Sequence, residues 1–284
     1  MAKYGSLAGP SAKLERARSH LDEIDRIVTS RSDVGGYQTR PVFSPDGRTC
    51  SYYVDDVEPI DAAFPLVIGD CLFNLRAALD HLVYQLHVRT ARGAITGGAA
   101  RDAMFPILDK PPRGAVPLAS VDSVKRLSKR HRAVIERLQP YRSDRDGYVS
   151  TRIFLRLLHD LNRFDKHRQL NVVAVAGWAN AVSPYPRPAG LTMKADLSVP
   201  LVSGALVAKL FSDDDFRDHP VGHRVLSNIV FDDLDGKPEV VTLMHQMTGS
   251  VERVLDLVGR DLARQDRAKS TTGHKLDVDG SYGV

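Results

Sequence analysis

The stretch PLVIGDCLFNLRAALDHLVYQLHVRT, residues 65–90, decides how the rest of the chain is read. Cys71, Leu75, Ala78, Leu79, Leu82 and Leu86 form a broad apolar face at helical spacing. The segment is apolar on most sides, so it predicts a central helix buried on most sides. Its polar residues are then the informative ones, because buried polar groups require partners. At about 100° per residue, Asp70, Asn74, His81 and Gln85 share one narrow stripe, while Arg76, Asp80 and His87 form another. Arg76 and Asp80 are four apart and can pair directly.

Around this helix the chain alternates between helical and extended patterns. Ser11 reads as the cap of a first helix, with Leu14, Ala17, Leu21, Ile24 and Val28 on one stripe. Thr39 to Val54 reads as a β-hairpin about Pro45-Asp46-Gly47. Gly93 to Gly98 is a flexible break, and Phe105-Pro106-Ile107 with Lys110-Pro111-Pro112 an extended connection. A third helix is expected after Ser120 or Ser123 and stops before Pro140, and a fourth runs from about Ser150 to Arg168. Four short β-type runs follow, Leu170–Ala176, Leu191–Val199, Ala205–Phe211 and Leu226–Asp232, separated by Pro- and Gly-rich turns. Pro238 suits the start of a last helix, whose stripe is Met244, Met247, Val251, Val254, Val258 and Leu262.

The fold expected is α+β, a helical bundle of about five helices with a segregated antiparallel sheet that the early hairpin is free to join. One composite domain is expected over residues 1–264. It has a bundle at 11–169 and 238–264, a β-rich insertion at 170–234, and a disordered tail at 265–284.

Composition bounds the function only loosely. The chain has 284 residues, 43% hydrophobic and 26% charged, as in an ordinary soluble protein. No apolar run approaches the about 20 residues of a membrane span, and Met-Ala-Lys-Tyr-Gly-Ser lacks the layout of a secretory signal. Cys50 and Cys71 fit neither a disulfide framework nor a zinc pattern, so a cytoplasmic setting is expected. The net charge of +4 permits a polyanionic partner without demanding one. No His-Glu-x-x-His, phosphate loop or Gly-x-Ser-x-Gly elbow occurs, so neither a metal nor a cofactor is expected. His219 and His223 read as surface loop residues.

Chemistry concentrates in two mixed-charge segments, Asn74 to His81 and Asn162 to Arg168. In the fourth helix Arg156, Asp160, Arg163 and His167 share a side, and Asp165 can pair with Arg168. A solvated charge stripe and last-turn cations stabilised by the helix dipole explain part of that pattern. Asp160, Arg163, Asp165 and His167 are also suitable partners for the polar groups of the central helix. Two readings follow: a functional groove, or a buried network that fixes helix register. The basic run Lys125-Arg126, Lys129-Arg130-His131-Arg132 and Arg137 offers a phosphate-binding face or a solvated one. Tyr52, Tyr53, Trp178 and Tyr185 near an exposed part of the sheet offer a surface for a protein partner or small ligand.

Four segments carry a resemblance: Asn-Leu-Arg-x-x-Leu-Asp-His at 74–81, Phe-Pro-Ile at 105–107, Gln-Pro-Tyr at 139–141 and Asp-Lys-His-Arg at 165–168. In these the chain resembles a group of uncharacterised bacterial and phage-associated proteins of similar length. More distantly, Arg76 and His81 match the Arg, four to six residues, His signature of the HEPN superfamily, helical-bundle ribonucleases and nucleotide-binding modules of toxin and defence systems. Ala77 stands where that family usually has a polar residue, and the sheet is a second departure from its compact form. The resemblance implies metal-independent RNA cleavage in defence or stress by a homodimer. Arg76 would bind the scissile phosphate and His81 would move the proton, with Asn74, Asp80, Asp165 and His167 in support. The alternative is a non-enzymatic interaction or ligand-binding protein in which the same residues are a structural network.

Overall fold

Helix α1 (Ala8–Asp33) begins earlier than Ser11 suggests. Ser6 Oγ accepts the Ala8 N–H at 3.1 Å, and Pro10 sits in the first turn, where a missing N–H leaves no bond unmade. A hairpin follows, β1 (Tyr37–Phe43) and β2 (Thr49–Val54), then α2 (Phe64–Ala91) and, after the irregular stretch 93–97, a single turn, α3 (Gly98–Arg101). Next come α4 (Lys129–Arg137), α5 (Val149–His167), β3 (Val172–Ala181), β4 (Thr192–Ala195), β5 (Ala205–Phe211), β6 (His223–Phe231) and α6 (Val240–Leu276). The structure is a computed structural model that describes residues 5–33, 36–114, 116, 118–143, 146–181, 187–196, 199–218 and 223–276. No helix among the described residues is long and apolar enough to cross a membrane.

The fold is α+β with a segregated antiparallel sheet. The chain divides into two units: one drawn from residues 1–20, 69–167 and 245–284 that carries most of the helices, and one from 21–68 and 168–244 that carries the sheet.

In the helical unit Leu72, Leu75, Ala78, Leu79, Leu82, Val83 and Leu86 of α2 are all buried, while Phe73 on another side of the helix is exposed. Helix α4 starts later than either serine suggested. Tight turns such as Val124 N–H to Val121 and Leu127 N–H to Val124 precede it, and Ser128 then caps it by accepting the His131 N–H at 3.2 Å. Helix α6 continues past Gln265, where the sequence pattern fades. Gln265 Nε2 bonds Asp261 Oδ2 at 2.8 Å, and Asp266 is paired with Arg89 of α2, so polar contacts extend the helix beyond its apolar stripe. The remainder of the expected tail, 277–284, lies outside the described residues.

The sheet has strand order β3-β6-β1-β2-β5-β4, every pairing antiparallel. The early hairpin therefore occupies its centre. Strand β2 alternates strictly, with Cys50, Tyr52 and Val54 buried and Thr49, Ser51 and Tyr53 partly exposed. The sheet curls, because the stretch just after β4 lies along the free edge of β3: Leu201 N–H bonds Ala174 O at 2.8 Å and Ala176 N–H bonds Val199 O at 3.2 Å. The enclosed face holds Cys50, Tyr52, Val54, Ala174, Ala176, Leu201, Val207, Leu210, Phe216 and Val225. Gly47 in the hairpin turn has φ 70, and a Cβ there would fall 2.0 Å from the Asp215 carboxylate, so only glycine fits.

One expectation is corrected by this alternation. Tyr52 points into the sheet's own core and is fully buried, so it offers nothing to a partner. Tyr53 is half-buried, with the Arg40 guanidinium 5.5 Å over its ring. Tyr185 and the side chain of Trp178 lie outside the described residues.

Candidate functional site

The Arg76–Asp80 pair forms as the four-residue spacing requires, Nη2 to Oδ1 at 2.9 Å. Its partner lies in the extended connection rather than on α5. Arg76 Nη2 donates to the Phe105 carbonyl at 2.6 Å, and Asp80 Oδ1 accepts the Phe105 N–H at 2.8 Å. One ion pair thus holds both polar backbone groups of a single residue, whose ring is itself buried. One and three positions on, Gln139 continues the grip from a fully buried site. Its Nε2 donates to Pro106 O at 2.9 Å and to Ile135 O at 3.1 Å, while its Oε1 accepts the Leu108 N–H at 3.1 Å. The segment 105–108 has no regular structure, so side chains must satisfy its buried backbone groups. Three of the four resemblance segments, around Arg76, Phe105 and Gln139, are therefore one hydrogen-bonded clamp.

The fourth segment meets α2 elsewhere. Asp165 lies against Gly69, where a Cβ would come within 2.6 Å of its Oδ1. Burial, and then the charge of Asp70, raise the Asp165 carboxyl above the ordinary value of 3.8. The neutral acid is favoured in the folded chain, so folded Asp165 costs stability once the pH exceeds 3.8 and the carboxylate must form. Asp165→Asn is expected to raise the thermal midpoint at neutral pH and to have no stabilising effect near pH 3. Thermal melts at both values check this. Arg168, expected beside Asp165, is 3.4 Å from Asp233 within the sheet unit.

Arg76 and His81 diverge. Five helical residues separate them by about 140°. His81 is exposed, its Nδ1 3.6 Å from where a Cβ on Gly9 would stand. Asn74 is buried, donating to Asp70 O at 2.8 Å and accepting from Lys13 Nζ at 3.4 Å. His167 is exposed in the last turn of α5. Of the six candidate site residues, only Arg76 and Asp80 bond each other. Arg163 and Arg156 both reach Asp160, at 3.6 and 4.0 Å, and Arg156 also meets Asp109 at 3.2 Å. That side of α5 is an ion-paired surface.

Several polar residues with structural roles carry no local signal. Arg152 is buried; its Nη2 donates to both Asp146 carboxylate oxygens at 2.9 Å while its Nε donates to Arg137 O at 2.8 Å. His131, from the basic run, is buried beside Gln265 rather than displayed, and Arg130 pairs with Asp261 at 2.6 Å. Lys125 pairs with Asp122 at 2.5 Å, and Arg137 stacks on Tyr148 at 5.2 Å, so much of the run is engaged within the protein.

Burial pushes the His131 imidazole below its ordinary 6.5, and burial together with the Arg76 charge does the same to His159 of α5. With folded values below the unfolded one, the unfolded chain binds more protons just below pH 6.5. Stability is therefore complete above 6.5 and falls as the pH drops through the depressed folded values. Urea midpoints at about pH 7.5 and about pH 5 should differ in that direction, and His131→Asn should flatten the difference.

Among the described residues no three His, Cys, Asp or Glu side chains gather as metal ligands would. Cys71 is buried, donates to Ala17 O at 3.3 Å and has its thiol pushed up to about 12 by burial, so it is no nucleophile at neutral pH.

The sheet unit has an opening of its own, a cavity of about 450 Å³ where the two strands of the hairpin part company, beyond the start of β1 and the end of β2. Arg31, Tyr37, Arg40, Asp55, Asp56 and Glu58 line it.

Comparisons with protein-family models, with curated proteins and with solved structures give no match.

Proposed function

We propose that this chain is a non-enzymatic binding protein whose Arg, Asp and His clusters are architecture. The observation that carries this reading is the clamp: Arg76 and Asp80 hold the two backbone polar groups of Phe105, and Arg76 Nη1, which has no hydrogen-bond partner among the described residues, is shut away from solvent. A phosphate-binding arginine must present its fork to a ligand. Here Nη2 is bonded on both sides and the side chain is only 12% exposed. His81, the proton carrier of the HEPN-like reading, stands on another side of the helix with no bond to that fork.

One observation favours the RNA-directed reading, a metal-independent endoribonuclease that binds RNA as a homodimer: His81 is exposed and free to meet a second protomer. Mixed RNA substrates incubated in EDTA with wild type and His81→Ala, with melts of both, decide between them. The binding-protein reading expects no cleavage by either and midpoints that agree, because an exposed histidine contributes within about 0.5 kcal/mol. Cleavage by wild type that is lost in a normally melting His81→Ala overturns it in favour of the nuclease.

A further inference from the structure

We propose that the cavity beside the β1–β2 hairpin binds a free α-amino acid, its carboxylate held at the Tyr37 hydroxyl and Arg31 and its ammonium at the Asp56 and Glu58 carboxylates. This deepens the binding-protein reading and rests on it. The volume of about 450 Å³ falls within the about 300–1,000 Å³ typical of small-molecule sites.

The lining divides by charge. Arg40 and Asp55 form a two-pronged ion pair, Nε to Oδ2 at 2.7 Å and Nη2 to Oδ1 at 3.4 Å, which makes that wall neutral. Arg31 has no such compensation. Its Nη2 donates to Glu58 O at 2.7 Å and to the Tyr37 hydroxyl at 3.1 Å, and its Nη1 to Pro59 O at 3.1 Å. Its Nε is buried with no partner. Among the described residues no carboxylate lies within ion-pair distance of this guanidinium. Tyr37 accepts from Arg31, so its own O–H is left to donate, strengthened by the cation behind it. An oxyanion there gains a polarised hydroxyl and the field of an uncompensated arginine.

The lining is also acidic, through Asp56 and Glu58 of the segment leaving β2, whose backbone Arg31 holds. The Asp56 and Glu58 carboxylates have no cationic partner among the described residues, and both residues are exposed. Asp56 is held at φ 54, a left-handed conformation few non-glycine residues adopt, which fixes the turn leaving β2. A simple cation would satisfy these carboxylates and meet Arg31's field with the wrong sign. A simple anion would meet two carboxylates. A ligand carrying both charges a short distance apart answers the cationic and the acidic groups of this lining at once.

Calorimetry and thermal shift on the full chain test the site. The probes are the standard amino acids singly, each beside its decarboxylated amine and its N-acetyl derivative. The expected result is one or more amino acids binding with Kd below about 1 mM, and both derivatives weaker by roughly ten-fold or more, since each leaves one set of charged or polar groups in the lining unpaired. Tyr37→Phe should weaken the amino acid with little change in its amine, and Glu58→Gln with Asp56→Asn should weaken both. Any of three outcomes overturns the proposal: no amino acid binds, the amine binds as tightly as its amino acid, or all variants bind as wild type does. RNA cleavage in EDTA, run on the same preparation, separates the failures. A chain that neither cleaves RNA nor binds amino acids loses this site alone, and one that cleaves loses the parent reading too.

Discussion

Arg76→Ala is expected to lower the unfolding free energy by about 3 kcal/mol and the thermal midpoint by about 6 °C or more. The substitution removes the donor to the Phe105 carbonyl and leaves the Asp80 carboxylate, 26% exposed, without its cation. Stranding a partly buried carboxylate and a carbonyl together accounts for that size, at about 1–3 kcal/mol for each polar group left unpaired. Urea denaturation checks it. The midpoint should fall while its slope is unchanged, because the clamp organises the native state and does not alter the surface exposed on unfolding. A loss under about 0.5 kcal/mol, the size expected of a surface residue, would show that the 105–108 segment is held by other means.

Gln139→Leu is expected to cost a similar amount, about 3 kcal/mol, although leucine nearly conserves the volume. The position has no exposure, so water cannot replace what is lost. The Leu108 N–H and the Pro106 carbonyl would each be left without a partner. The same denaturation series measures it. Combined with Arg76→Ala, the two losses should sum to less than their separate values, since either one already frees the segment that both restrain.

These two residues also show what is legible in a sequence. The Arg76–Asp80 pair is readable from spacing alone, because helix geometry fixes which residues are neighbours four apart. What the pair holds is not readable, because Phe105 lies in an irregular stretch with no period to place it, and nothing local links it to Gln139. The Arg76–His81 spacing is a count along the chain, and the helix turns that count into divergent directions. In the sheet, Asp46-Gly47 announces the hairpin through turn chemistry. Its central position depends on β6 and β5 arriving from far along the chain, which is a matter of topology. The α2 core is legible because a helix apolar on nearly every side has only one place to be. Helix α6 outruns its apolar stripe because Gln265 and Asp266 are fastened by His131 and Arg89, contacts no periodicity records.

A double-mutant cycle on Arg76→Ala and Asp80→Ala tests the architectural role of the cluster most directly. Strong coupling, about 2 kcal/mol, is expected, because the pair grips the two backbone polar groups of one residue between its members and neither works alone. Single-mutant losses that add to within about 0.5 kcal/mol would mean that the two residues act independently, and the clamp on Phe105 would not be what these motifs are for.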